Sequence, residues 1–125
     1  METLRATSAM PFVSKMVEIN GKKYLDGGIA DSIPLRFCQQ LGYDKIIVIL
    51  TRPLDYRKTP TNPLLFNAFY RRYPKLVERL TNRYADYNRA VEDVIRLNEQ
   101  GEIFVIRPSV TLPIRRIEKD VAKVQ

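Results

Sequence analysis

Few residues in this chain could do chemistry. The run Tyr24-Leu25-Asp26-Gly27-Gly28 sets one carboxylate at the end of a short β-type segment and follows it with two glycines. A carboxylate in that position can serve as a general base. In α/β sheets the C-terminal edge of the strands is where ligands bind. Paired glycines let the backbone turn sharply at positive φ, so Asp26 can protrude. An Asx turn that merely ends a strand is the simpler reading of the same spacing. Composition narrows the chemistry further. The 125 residues hold no histidine and a single cysteine, Cys38. Ser-His-Asp and Cys-His catalysis are excluded within this chain, as are cysteine-rich zinc sites and nearly all transition-metal sites. No metal and no cofactor is expected. Asp31, five residues after Asp26, reads as a salt-bridge or helix-start charge. Cys38 reads as a small apolar filler.

The elements that must position Asp26 follow from pattern. Residues 2–9 read as a helix ending before Pro11. Residues 16–19 and 23–26 read as two strands around Asn20-Gly21, a strong hairpin signal because both residues tolerate positive φ. Pro34 opens a helix to Leu41, closed by Gly42. Residues 46–51, IIVILT, form a continuous β-branched run that suits a parallel sheet covered on both faces. A proline-rich loop spans 52–63, and helical spacing then runs over about 64–100, broken or restarted at Pro74. Val77, Leu80, Tyr84, Tyr87, Val91 and Val94 make one apolar seam. Residues 103–107 form another strand, and Ile114, Ile117, Val121 and Val124 line a last helix. The expected fold class is α/β, a partial and mainly parallel sheet flanked by helices. Two central strands are few for such a sheet, and the opening residues resemble the middle of an element. The chain therefore reads as the second half of a larger domain.

Charge is concentrated. The net charge is +7, and the stretch Arg52–Arg89 holds nine basic residues against three acidic ones. Seven of the twelve aromatics lie in it. Such a segment suits an anionic membrane or nucleic acid; a solvated helix face over packed aromatics is the plainer reading, with Phe69 and Tyr70 in the core. No apolar run approaches the ~20 residues of a membrane-spanning helix.

The order of motifs adds a resemblance. Ala6-Thr7-Ser8-Ala9-Met10-Pro11-Phe12, then a strand pair, then Asp26-Gly27-Gly28, then Ile33-Pro34, is similar to the patatin-like phospholipases, serine acyl hydrolases with a Ser-Asp dyad. The likeness covers residues 5–53. It implies that residues 1–125 are the C-terminal portion of a patatin-like domain, with Asp26 as the catalytic base near the end of the 46–51 strand. It also implies a lipid or other acyl-ester substrate. Such a dyad needs no imidazole, which agrees with the missing histidine. Ser32 stands where Asn is common in the family, which puts a loop hydrogen bond in doubt. The family's G-x-S-x-G nucleophile is missing here, because no two of the five glycines are four apart. The serine is expected upstream of residue 1, and the chain alone is expected to be inactive. Ser8, Ser14, Ser32 and Ser109 lack an elbow context and read as structural.

The competing function is a non-catalytic module whose basic aromatic region binds an anionic membrane; nucleic acid is the weaker form of that idea. Self-association of the truncated chain through its IIVIL strand is expected, and the free cysteine leans towards a cytoplasmic setting.

Overall fold

A computed structural model of the chain describes residues 1–111. The expected helix beyond Pro113 lies outside the described residues. The order is α1 (Glu2–Thr7), β1 (Val17–Ile19), β2 (Lys22–Tyr24), a 3-10 turn (Gly27–Ile29), α2 (Leu35–Gln40), β3 (Ile46–Ile49), α3 (Pro63–Tyr70), α4 (Pro74–Glu99) and β4 (Ile103–Ile106). This is a mixed α/β chain with two small sheets. The antiparallel pair β1–β2 turns at Asn20 (φ 51°) and Gly21 (φ 72°), the pair of left-handed residues that a two-residue hairpin turn requires. The parallel pair β3–β4 sets Ile46 opposite Ile103 and Ile49 opposite Ile106. Its crossover is built from α3 and α4. Parallel strands therefore do not dominate: there is one pair of each kind among the described residues.

Helix α4 organises the packing. Val77, Leu80, Val91 and Val94 of the expected seam are buried, Tyr84 and Tyr87 are half-buried between them, and Leu97 extends the buried face. Val94 is fully enclosed, at 0% exposure. The C-terminal half of α4 joins Leu35, Val48, Leu50 and Ile103 in one core. Its N-terminal half joins Ile29 and Phe66 in another. Pro74 stands in the first turn of α4, where its missing N–H costs nothing. Asn62 caps α3, its side chain accepting a hydrogen bond from the Leu64 N–H.

The uncovered apolar face expected of a partial sheet is present, and one expectation about the aromatics fails. The β3–β4 pair is covered on one face only: Val48 and Ile103 face α4, while Ile47, Ile49, Phe104 and Ile106 are exposed, Ile49 by 72%. The apolar run fits a two-sided sheet, but among the described residues only one layer lies against it. Phe69 was expected in the core with Tyr70. Phe66 fills that role, Tyr70 is half-buried, and Phe69 is 67% exposed. Spacing at i, i+3, i+4 marks a wider stripe than one neighbour can bury. Among the described residues, no helix is long and apolar enough to cross a membrane.

Candidate functional site

Asp26 sits directly after the hairpin, two residues beyond β2, and caps the 3-10 turn. Its own N–H donates to the Ala9 carbonyl at 2.9 Å, which ties the segment after α1 to the site. Its Oδ1 accepts a hydrogen bond from the Gly28 N–H at 2.7 Å. Among the described residues nothing bonds the other carboxylate oxygen, so Oδ2 keeps its acceptor capacity. The hairpin and the parallel pair are separate sheets, so the strand delivering Asp26 does not share a ladder with β3.

The glycines work differently from the sequence expectation. Neither Gly27 nor Gly28 has positive φ; Gly21, Gly42 and Gly101 do. Close approach explains Gly28 instead. A Cβ there would lie 3.1 Å from Asp26 Oδ1 and 3.5 Å from Arg83 Nη2. Arg83 Nε donates to the Gly28 carbonyl at 2.9 Å, and Ser32 Oγ donates to the same oxygen at 2.8 Å. Ser32 thus supplies a loop hydrogen bond itself. Gly28 therefore stands between a carboxylate held by its N–H and a guanidinium held by its carbonyl. Asp31 Oδ1 accepts from the Ile33 N–H at 3.1 Å and shapes the approach to α2. Ser8, at the C-terminal cap of α1, has its Oγ donating to the Leu4 carbonyl at 2.9 Å. Cys38 is half-buried.

Arg83 was missed by motif reasoning. Its one sequence signal is position: it falls between Leu80 and Tyr84, at the margin of the buried seam of α4. It also lines a cavity of about 300 Å³ with Phe12, Lys58, Leu65, Phe66 and Tyr84 among its walls. Asp26 is not in that wall. Nor does it line the groove of about 310 Å³ that follows β3 past Pro34, Cys38 and Tyr87.

Phe12 is the second feature that pattern did not mark. It is a bulky residue at φ 65°, a genuine backbone outlier. Its N–H donates to the Tyr70 hydroxyl at 2.9 Å, and its ring lies 5.9, 5.2 and 5.3 Å from those of Phe66, Phe69 and Tyr70. Much of the remaining basic aromatic region is engaged internally. Lys58 sits 3.9 Å over the Tyr87 ring and Arg52 5.1 Å over Tyr56. Asn88 clamps the loop by accepting from the Lys58 N–H at 2.9 Å and donating to its carbonyl at 3.1 Å. Lys23 Nζ donates to the Tyr73 hydroxyl at 3.1 Å, which raises its pKa above the ordinary lysine value. Among the described residues no group of three or more Asp, Glu or Cys side chains is placed to hold a metal ion.

Comparison with known proteins gives partial matches. The family model "Patatin-like phospholipase" matches residues 1–38, a stretch that spans Asp26 to Gly28. A domain of unknown function (DUF6363) matches residues 73–125. The uncharacterized protein YjjU of Escherichia coli (strain K12) is 39% identical over 61 residues, 48% of this chain. The chain covers 17% of the length of that relative. No solved structure matches. The N-terminal segment is thus similar to patatin-like phospholipases, which suggests a relationship to lipid hydrolases.

Proposed function

We propose that the chain is part of a patatin-like lipid acyl hydrolase, in which Asp26 is the base of a Ser-Asp dyad and the serine comes from outside this sequence. The observation that carries the reading is the open Oδ2 of Asp26 within the patatin-like match, since the Asx turn at Oδ1 also fits a plain strand ending. The patatin-like match surrounds Asp26, Oδ1 is fixed by the Gly28 N–H, and Oδ2 is left to accept a proton. In this mechanism Oδ2 takes the hydroxyl proton as the serine oxygen attacks an ester carbonyl, and backbone N–H groups supplied with the serine would hold the oxyanion. The fixed turn keeps the base in place; a base that must be reoriented at each turnover loses rate. Among the described residues one face of β3–β4 has no layer over it, which supports the same reading, because parallel sheets are normally covered on both sides. Residues 1–125 would be the C-terminal portion of the hydrolase domain, with the helical segment at about 64–100 included, and the DUF6363 match over residues 73–125 takes in α4 and β4 of that portion. The single free cysteine suits a reducing, cytoplasmic setting.

The test uses the polypeptide encoded by the whole reading frame. Asp26→Asn should lower kcat for ester hydrolysis by about 10²–10⁴-fold while the melting temperature holds, since the amide is nearly isosteric but cannot take the proton. The 125-residue chain alone should not turn over p-nitrophenyl esters. Turnover by that chain, reduced by Ser8→Ala, would overturn the assignment.

A further inference from the structure

We propose that the outer face of α3, together with the strained Phe12 segment, is a docking surface for an anionic phospholipid bilayer. It does not depend on Asp26 acting as a base. Helix α3, PLLFNAFY, contains no charged residue, and Phe66 is its one buried side chain. Leu64, Leu65 and Phe69 are exposed, by 73, 48 and 67%. Leu65 and Phe69 are four apart and share a face. Phe12 reaches that face from a distant part of the sequence, edge-on to Phe69, and Val13 beside it is also exposed. Phe12 keeps the sparsely populated φ of 65° that brings its ring to Phe69, and it stays 46% exposed there. An exposed apolar patch of this kind marks an interaction site.

Charge says which partner fits. From Tyr56 to Val77 there is no Asp or Glu, while Arg57, Lys58, Arg71, Arg72 and Lys75 all lie in that stretch. Arg71 and Arg72 directly follow α3, and Arg72 is near enough to Lys23 for their charges to oppose each other. An apolar face bordered by cations is the arrangement that inserts shallowly into an anionic bilayer. Nucleic acid fits less well. Binding of single strands needs open aromatic faces for stacking, and Tyr56 and Tyr87 already carry Arg52 and Lys58 over their rings.

The chain contains no tryptophan, so Phe69→Trp introduces a single reporter at the centre of the patch. Its emission should shift to the blue when phosphatidylglycerol-containing vesicles are added, and shift little with phosphatidylcholine alone. Co-sedimentation of the 125-residue chain with the anionic vesicles should fall about ten- to thirtyfold in Arg71→Gln/Arg72→Gln, and at least about tenfold in Leu65→Ser/Phe69→Ser. Salt should weaken it in both backgrounds. Asp26→Asn should bind like the parent chain, which separates this proposal from the catalytic one. Three results would overturn the proposal. One is an emission unchanged by anionic vesicles. Another is a blue shift already present in buffer that grows with protein concentration, which assigns the patch to a second copy. The last is equal vesicle binding by the Arg71→Gln/Arg72→Gln variant.

Discussion

The two halves of α4 lie against different materials. From Val91 to Leu97 the helix packs on aliphatic side chains, Leu35, Val48, Leu50 and Ile103, with no buried polar group among them. Around Val77 and Leu80 it meets Phe66 and Ile29, and the surroundings change character. There the rings of Phe12, Phe69 and Tyr70 cluster and the backbone is strained at Phe12. Arg83 reaches across to the turn of Asp26. One helix therefore divides its work. The aliphatic half gains its stability from area removed from water. The aromatic half gives up part of that gain to keep hydroxyls, guanidinium and exposed rings in place, as functional regions commonly do.

The sharpest way to break this comparison is to cut each half. Leu97→Ala, in the aliphatic half, should cost about 2–5 kcal/mol in chemical denaturation, with the spread set by how far the core can collapse. Phe69→Ala should stay within about 0.5 kcal/mol, as expected of a surface position. Equal losses would mean that Phe69 is packed in solution and that the aromatic end is an ordinary core.

A smaller effect sharpens the picture of the aromatic end. Asn62→Ala removes the cap of α3 and should cost about 1 kcal/mol. Hydrogen exchange should then speed up at the Leu64 amide while the amides of Val91 and Val94 stay protected. Uniform acceleration would show that the two halves open together.

The least effect concerns acid. The hydrogen bond from Arg36, 2.8 Å from Asp93, holds that carboxyl below the ordinary carboxylate range. A depressed pKa in the folded state contributes stability above the unfolded value of about 3.9, and that contribution fades as pH falls through the lower folded value. Arg36→Gln should therefore melt slightly earlier than the parent at pH 6, and the gap should close in strong acid. The pair is exposed, so salt should narrow the gap too. A gap that persists below the folded pKa would assign the effect to packing of the Arg36 stem.

What the sequence made legible was local. Asn20-Gly21 marks its hairpin because two consecutive left-handed residues are needed there, and few residue types allow them. The seam of α4 is legible because one face of the helix stays apolar along its length, although its two halves meet different partners. The glycines at 27 and 28 misled, because the same residue type serves positive φ or close approach, and at Gly28 only Arg83 and the Asp26 carboxylate, placed in space, tell which. The bare face of β3 was legible too: an apolar run made for two-sided cover, in a chain with few strands, leaves one face without a layer among the described residues. Phe69 shows the limit of periodicity, since the stripe it belongs to is wider than the surface α4 offers.

The bridge from Arg83 to Gly28 joins residues 55 apart in the chain, and this has a consequence for synthesis. The hairpin and the Gly28-to-Asp26 hydrogen bond are local, and such elements form within about microseconds once their residues are free. The guanidinium that holds the Gly28 carbonyl is made much later. At about 5–20 residues per second, a ribosome needs roughly 3–11 s to extend the chain from the turn to Arg83. Through that interval the turn can form, but α4 is not yet there to hold it. The scaffold of the carboxylate is completed only when the long helix has emerged and docked.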